Sequence, residues 1–150
     1  MFDAIKKMMS GGEKPQVRLE LDPHVAASAL LVEAALSDGI YAEVEAEQIR
    51  TILISAFNLD EAAADAMLTQ AEELAENAVD HFQFTKVVKA CLPATERVAL
   101  VEHLWSVALA DGEKSPFEDS FIRRVAPLLA VDDRERVLAR ARAEAAARQS

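Results

Sequence analysis

The sequence has little of what a β-rich, disulfide-stabilised or membrane-spanning protein needs. It contains one cysteine, Cys91, with four glycines and five prolines in 150 residues, and aromatic residues make up 5%. A single cysteine excludes an internal disulfide, and this composition is typical of helical proteins. The Ala/Leu-rich stretch 26–36 is interrupted by Glu33, so no apolar run is long enough to cross a bilayer. No signal peptide is recognisable at the start, and together these features predict a cytoplasmic protein.

Basic residues are nearly absent from residues 20–80, where Arg50 stands against fourteen acidic residues. The net charge of the whole chain is -10, so its acidity is concentrated in this region. Such a surface repels nucleic-acid backbones and attracts cations or basic proteins, although many acidic faces serve only for solubility. We therefore expect no nucleic-acid binding.

Motifs for catalysis are also absent. The sequence has no HExxH pair, no phosphate-binding glycine loop and no GxSxG elbow. Cys91 shares an apolar stripe with Phe84, Val87 and Val88, so we expect it to be buried rather than to act as a nucleophile. Trp105, at helical spacing from Val101, is expected to lie in the core. No enzymatic activity is predicted.

Apolar residues recur at helical spacing from Pro23 onward, with only short breaks. The last of these stripes contains Val137 and Leu138, with Ala141 and Ala145. Residues 1–9 form a further short helical pattern before a Gly-containing break. The sequence predicts an all-α fold, a compact bundle of about seven to eight helices, with a short helix and linker over residues 1–22 and a helical domain over residues 23–150.

The chain contains a partial copy of itself at an offset of 73 residues. The sequence ALSDG at 35–39 aligns with ALADG at 108–112, and Ile49 and Arg50 align with Ile122 and Arg123. After one gapped residue, LDE at 59–61 falls on VDD at 131–133. Each copy reads helix, DG turn, helix, capping residue, helix. Two pseudo-repeated helical halves, packed about an approximate twofold axis, are therefore expected.

Each DG turn is followed by five residues and then by a glutamate. The pairs are Asp38 with Glu45 and Asp111 with Glu118. This spacing matches the second half of an EF-hand calcium loop, but the first ligand positions of that loop are occupied by apolar residues. Each turn also places an aspartate where the helix dipole disfavours negative charge. If the two halves meet, four carboxylates could bind one or two hard divalent cations, namely calcium, magnesium or manganese.

A capping interpretation of the same glutamates stays open beside the metal interpretation. Ser115, Pro116 and Glu118 form a strong helix start, with a capping box that accounts for Glu118 without a metal. At the corresponding position Ala42 has no capping oxygen, so Glu45 is expected only to place a carboxylate in the first helical turn.

The sequence resembles the TerB-like family, small helical bacterial domains named for tellurite-resistance operons. The resemblance covers about residues 24 to 131 and rests on ALLVEAALSDGIYAEVEAEQI, on LP at 92–93 and on LVEHLWSVALADGEKSPFEDSFIRRVAPLLAV. It implies an all-α domain of two pseudo-repeated halves, with a divalent-metal site at Asp38, Glu45, Asp111 and Glu118. Relatives tend to carry further acidic residues after each DG. Here only Glu113 is kept, so the resemblance implies a reduced ligand set.

Two functional hypotheses follow. The first is a non-enzymatic TerB-like domain that binds a divalent cation in a stress or metal-resistance setting. The second is a metal-free interaction module whose acidic face binds a basic partner protein or a membrane-associated complex. The second hypothesis also allows a peripheral position at the inner face of the membrane.

Overall fold

The computed structural model describes residues 21–110, 112 and 116–149. Within these residues the chain forms helices and turns without a strand, which confirms the all-α prediction. The predicted N-terminal helix over residues 1–9 lies outside the described residues. The described helices are α1 (Pro23–Leu36), α2 (Glu43–Ala56), α3 (Glu61–Asn77), α4 (Phe82–Cys91), α5 (Ala94–Ala108), α6 (Pro116–Leu128) and α7 (Asp133–Gln149).

Several helices begin at a carboxylate that accepts a hydrogen bond from an otherwise unpaired backbone N–H. Asp22 Oδ1 accepts from His24 N at 2.9 Å, directly before Pro23 at the start of α1. Asp60 Oδ1 accepts from Ala63 N at 2.8 Å at the start of α3. These local signals explain why the helix starts can be predicted from the sequence.

Helix α1 is the central element of the bundle. Ten of its fourteen residues are buried, and it contacts α2, α3, α4, α5 and α6. A helix that is apolar on nearly all sides is stable only inside a core. The most extensive helix contacts are those of α1 with α3 and of α5 with α7. These pairs occupy corresponding places in the two halves.

The second helix of each half ends in the same kind of turn. Asn58 follows α2 with a φ of 57°, and Ala130 follows α6 with a φ of 61°. In each turn the next residue donates its N–H to a carbonyl five residues back, at 3.1 Å from Leu59 to Ile54 and at 2.9 Å from Val131 to Ala126. This bond is typical of a Schellman helix end. The two halves therefore share their helix order, their main contacts and this turn.

Helix α7 differs from the prediction in the face that it buries. Val137 and Leu138 are 53% and 45% exposed, whereas Ala139 and Ala143 are buried. The small alanine side chains allow α7 to approach α5 closely. Trp105, which is buried as predicted, has the Arg140 guanidinium 4.6 Å from its ring centroid.

Cys91 is exposed, so the expectation that it is buried is wrong. It is the last residue of α4, whose buried face consists of Phe84, Thr85 and Val88. Leu92 then covers the end of that face, with 8% of its surface exposed.

Candidate functional site

The first DG turn uses its aspartate to stabilise the turn itself. Gly39 has a φ of 86°, a conformation that glycine adopts without a steric penalty, and donates its N–H to Leu36 O at 2.9 Å. Asp38 Oδ1 accepts the N–H of Ile40 at 2.9 Å. This Asx turn supplies a structural reason for an aspartate near a helix C-terminus. It occupies one carboxylate oxygen of Asp38.

Glu45, seven residues further on, is almost completely buried, with 1% of its surface exposed. Its Oε1 accepts the N–H of Ala42 at 3.0 Å, at the start of α2. The expectation that Glu45 only places charge in the first turn is therefore incomplete, because the side chain forms half of a capping box although Ala42 has no oxygen to form the other half. Its Oε2 is buried and has no hydrogen-bond partner among the described residues.

The second half repeats the glycine and the buried glutamate. Gly112 has a φ of 83° and donates its N–H to Leu109 O at 3.0 Å. Glu118 lies in the first turn of α6 and is 2% exposed. Asp111 and Ser115 lie outside the described residues, so a meeting of all four carboxylates stays a prediction, as does the capping box predicted for Glu118.

The second helix of each half lies beside the end of the first helix of the other half. Phe117 and Ser120, on either side of Glu118, line one cavity together with Ser37, which directly precedes Asp38. In the other half, Gln48 of α2 lines a second cavity with residues at the end of α5, namely Leu109 and Ala110. Each of these cavities therefore contains residues of both halves, but none of the predicted ligands described by the structure lines either one.

Sequence reasoning missed one interaction in this region. Tyr41 donates its hydroxyl hydrogen to Glu72 Oε2 at 2.6 Å, which joins the loop after the first DG turn to α3. Burial raises the pKa of Tyr41 far above its ordinary value, and the hydrogen bond and negative charge of Glu72, with the charges of Glu45 and Glu76, raise it further. Because Glu72 is far from Tyr41 in the sequence, the hydrogen bond could not be predicted from local spacing. The sequence indicated only that this region is acidic.

Within the part of the chain that the structure describes, no three histidine, cysteine or acidic side chains are grouped closely enough to hold a metal ion. The first half contributes one carboxylate oxygen each from Asp38 and Glu45 beyond those used for capping. These two oxygens are fewer than the six to eight oxygen ligands that calcium takes, so the first half alone does not supply a complete ligand set.

Comparison with known proteins is consistent with this arrangement of helices. The family model described as tellurite resistance protein TerB matches residues 24–141. The chain belongs to the TerB family. The TerB match covers both DG turns and extends from α1 into α7. No curated protein and no solved structure matches the chain significantly. No helix in the described ranges is both long and apolar enough to span a membrane.

Proposed function

We propose that this TerB domain binds a hard divalent cation, without catalysing a reaction, in a tellurite-resistance or related stress setting in the cytoplasm. The ligands are Asp38 and Glu45 from one half and Asp111 and Glu118 from the other. The family match supports the biological setting. The chemistry of calcium, magnesium and manganese, which prefer carboxylate oxygens, supports the choice of ion.

The observation that carries this proposal is the burial of Glu45. A buried carboxylate oxygen without a hydrogen bond costs free energy, because the protein does not replace the water that it has lost. Glu45 Oε2 is such an oxygen among the described residues. A cation bound beside it would offset that cost, and main-chain carbonyls and water would complete its coordination.

Calorimetric titration and thermal unfolding with calcium, magnesium and manganese test the proposal. Binding to the folded state raises the free energy of unfolding by about 2.7 kcal/mol when the ion is present at about 100 times its Kd. We expect Glu45→Gln to weaken binding by at least about ten-fold, because it removes a charged ligand.

The matched control is Glu43→Gln, since Glu43 lies in the same first turn of α2 but is exposed. It should leave the affinity unchanged. Asp111→Asn tests the contribution of the second half and should weaken binding as Glu45→Gln does. No heat and no change in melting temperature with any of the three ions at millimolar concentration would contradict the proposal.

A second candidate function is a metal-free interaction through the acidic face of α2 and α3. Arg50 Nε lies 2.6 Å from Asp65 Oδ1, and the guanidinium also pairs with Glu47 and Glu61 at 3.6 and 3.5 Å. Exposed acidic residues that form no ion pair within the described ranges remain on this face, among them Glu43, Glu73 and Glu76. Their charge fits a basic partner protein, free or in a membrane-associated complex.

Reversing the charge of exposed glutamates distinguishes the metal-free interaction from cation binding. The double variant Glu43→Lys, Glu47→Lys should abolish recovery of a basic partner in a pull-down performed with chelator. Glu45 is left unchanged because a lysine buried there would disrupt the fold. Glu135→Lys, on the exposed face of α7, is the control. Equal recovery by both variants would argue against this second function.

A further inference from the structure

A cavity of about 350 Å³ lies where the C-terminal ends of α1 and α3 meet the first half of α6. Its charged and titratable lining consists of Glu33, Asp80, His81 and Arg124. None of these is a predicted metal ligand. Much of the remaining lining is apolar, including Leu36 and Phe121. A cleft that combines apolar side chains with a few charged groups can fix the orientation of a small ligand.

The cavity lining carries both negative and positive groups. Burial, together with the negative charge of Asp80, raises the pKa of Glu33 to about 7. Burial lowers the pKa of His81, Arg124 lowers it further, and Asp80 acts in the opposite direction. The lining therefore combines two carboxyl groups, those of Glu33 and Asp80, with one guanidinium group, that of Arg124.

The carboxyl group of Glu33 and the guanidinium group of Arg124 both retain hydrogen-bonding capacity. Glu33 Oε1 is buried and has no hydrogen-bond partner among the described residues. Arg124 Nη1 donates to Ser120 Oγ at 3.0 Å, and the guanidinium lies 5.9 Å from the centroid of the Phe121 ring. Its other N–H groups form no hydrogen bond within the described ranges. An arginine with free donors is well suited to bind a carboxylate.

Exposed apolar side chains border the cavity. Val79 is 96% exposed and Phe117 is 61% exposed, and both contribute to the lining. Large apolar side chains beside a polar cleft would lose contact with water if a ligand covered them, which is favourable.

We propose that this cavity binds a small zwitterion with an apolar side chain, of the α-amino acid class, with its ammonium group at Glu33 and Asp80 and its carboxylate at Arg124. The ammonium group would supply the missing partner of Glu33 Oε1. The side chain would lie against Val79 and Phe117. This site uses none of the proposed cation ligands, although Ser37 and Phe117 of its lining directly precede Asp38 and Glu118, and binding requires no metal.

The other half of the fold contains a natural control. Its cavity of about 240 Å³ is lined by residues at corresponding positions of the repeat. At equivalent repeat positions, Ser106 replaces Glu33 and Ala110 replaces Ser37. Gln48 likewise replaces Phe121. No charged residue of the described ranges lines this second cavity. It should therefore not bind the zwitterion, although its walls are built in the same way.

Three probes of one shape test the proposal, with chelator present throughout. They are L-leucine, 3-methylbutylamine, which lacks the carboxylate, and 4-methylpentanoate, which lacks the ammonium group. Binding is measured by calorimetry and by amide chemical shifts. We expect leucine to bind at least about ten-fold more tightly than either analogue, with shift changes at Val79 and His81 and none at Ser106.

Two variants and one control test which side chain binds the carboxylate and which binds the ammonium group. Arg124→Gln should make leucine bind no better than the amine, and Glu33→Gln should make it bind no better than 4-methylpentanoate. Arg123→Gln, an exposed neighbour outside the cavity lining, should bind leucine as the unmodified protein does. Melting temperatures verify that each variant is folded.

Other outcomes would overturn the proposal. The proposal is wrong if the unmodified protein binds leucine and the amine equally well. It is also wrong if both cavity variants bind leucine as tightly as the control variant, or if leucine shows no saturable binding at millimolar concentration. Because chelator is present, none of these results bears on the cation site. A metal titration without binding would likewise not affect the conclusion about zwitterion binding.

Discussion

The cavity bounded by α1, α3 and α6 and the one bounded by α5, α7 and α2 occupy corresponding places in the two halves, but their chemistry differs. The first has Glu33, Asp80, His81 and Arg124 in its lining, whereas the second is lined mainly by small residues and alanines. Alanines also dominate the contacts of the third helix in each half. The comparison shows that helix packing and surface charge are separable: the small residues that set helix approach are shared, while the polar residues at the helix ends are not.

The largest expected effect comes from enlarging the alanines at corresponding positions of α3 and α7. Ala71 and Ala143 are both buried. We expect Ala71→Leu to lower the free energy of unfolding by about 2–3 kcal/mol, because the added methyl groups force the helices apart. Ala143→Leu should cost less, since Ala143 lines the second cavity and that space can take part of the new side chain. Denaturant unfolding measures both.

The controls are Ala66→Leu on α3 and Ala141→Leu on α7, because both residues are exposed. They should change stability by only a few tenths of a kcal/mol, about the size expected of a surface substitution. Equal losses for Ala71→Leu and Ala143→Leu would show that the second cavity cannot accommodate added volume.

A smaller effect concerns Glu33, whose position in the second half is taken by Ser106. Asp80, His81 and Arg124 line the same cavity as Glu33. The pKa of Glu33 is raised from 4.5 to about 7, so the folded state holds this proton more tightly than the unfolded state. The stability that it contributes is therefore present below about pH 4.5 and is lost as the pH rises through about 7.

Glu33→Gln does not titrate and isolates this contribution. Relative to the variant, the unmodified protein should lose on the order of 1–2 kcal/mol of unfolding free energy between about pH 4.5 and pH 8, a figure reduced for partial exposure to solvent. Urea unfolding at a series of pH values measures the difference. Glu73→Gln, on the exposed face of α3, should show no such divergence. A constant difference between Glu33→Gln and the unmodified protein across this range would contradict the prediction.

The smallest effect tests the turns that end α2 and α6. Asn58 and Ala130 both have positive φ, but asparagine adopts this conformation more readily than alanine. Ala130→Gly should therefore stabilise the protein by about 0.5–1 kcal/mol, and Asn58→Gly by only a few tenths. Thermal unfolding of the two variants gives the comparison. A larger gain at Asn58 would show that its side chain does not favour the turn.

Local patterns predicted the helices because their signals lie within a few residues of each other. Asp60 begins α3 by capping Ala63, and Gly39 and Gly112 end their turns with positive φ, as expected of glycine. The same local reasoning was insufficient at Glu45. The N-cap residue Ala42 has no side-chain oxygen, but the Glu45 side chain extends back and accepts the N–H of Ala42. Local reasoning was wrong at Cys91, because the buried face of α4 ends one residue away at Leu92.

For the candidate site, sequence spacing predicted Asp38, Glu45, Asp111 and Glu118, and the structure shows that Glu45 and Glu118 are buried. Sequence spacing did not identify the contact between Tyr41 and Glu72. Nor did it identify the cavity, because Glu33 lies far along the chain from Asp80 and Arg124. Such contacts depend on how α1, α3 and α6 pack.

By itself the sequence determined that the chain is helical, that it contains two similar halves and that in each half five residues separate a DG turn from a glutamate. Periodicity, capping residues and glycine conformations act over a few residues, so they can be read directly. Only the tertiary structure decided that α7 packs through Ala139 and Ala143 instead of Val137 and Leu138, and that the described residues lining one cavity include charged groups while those lining its counterpart do not. Helix packing decides these features because it brings together residues that are distant along the chain.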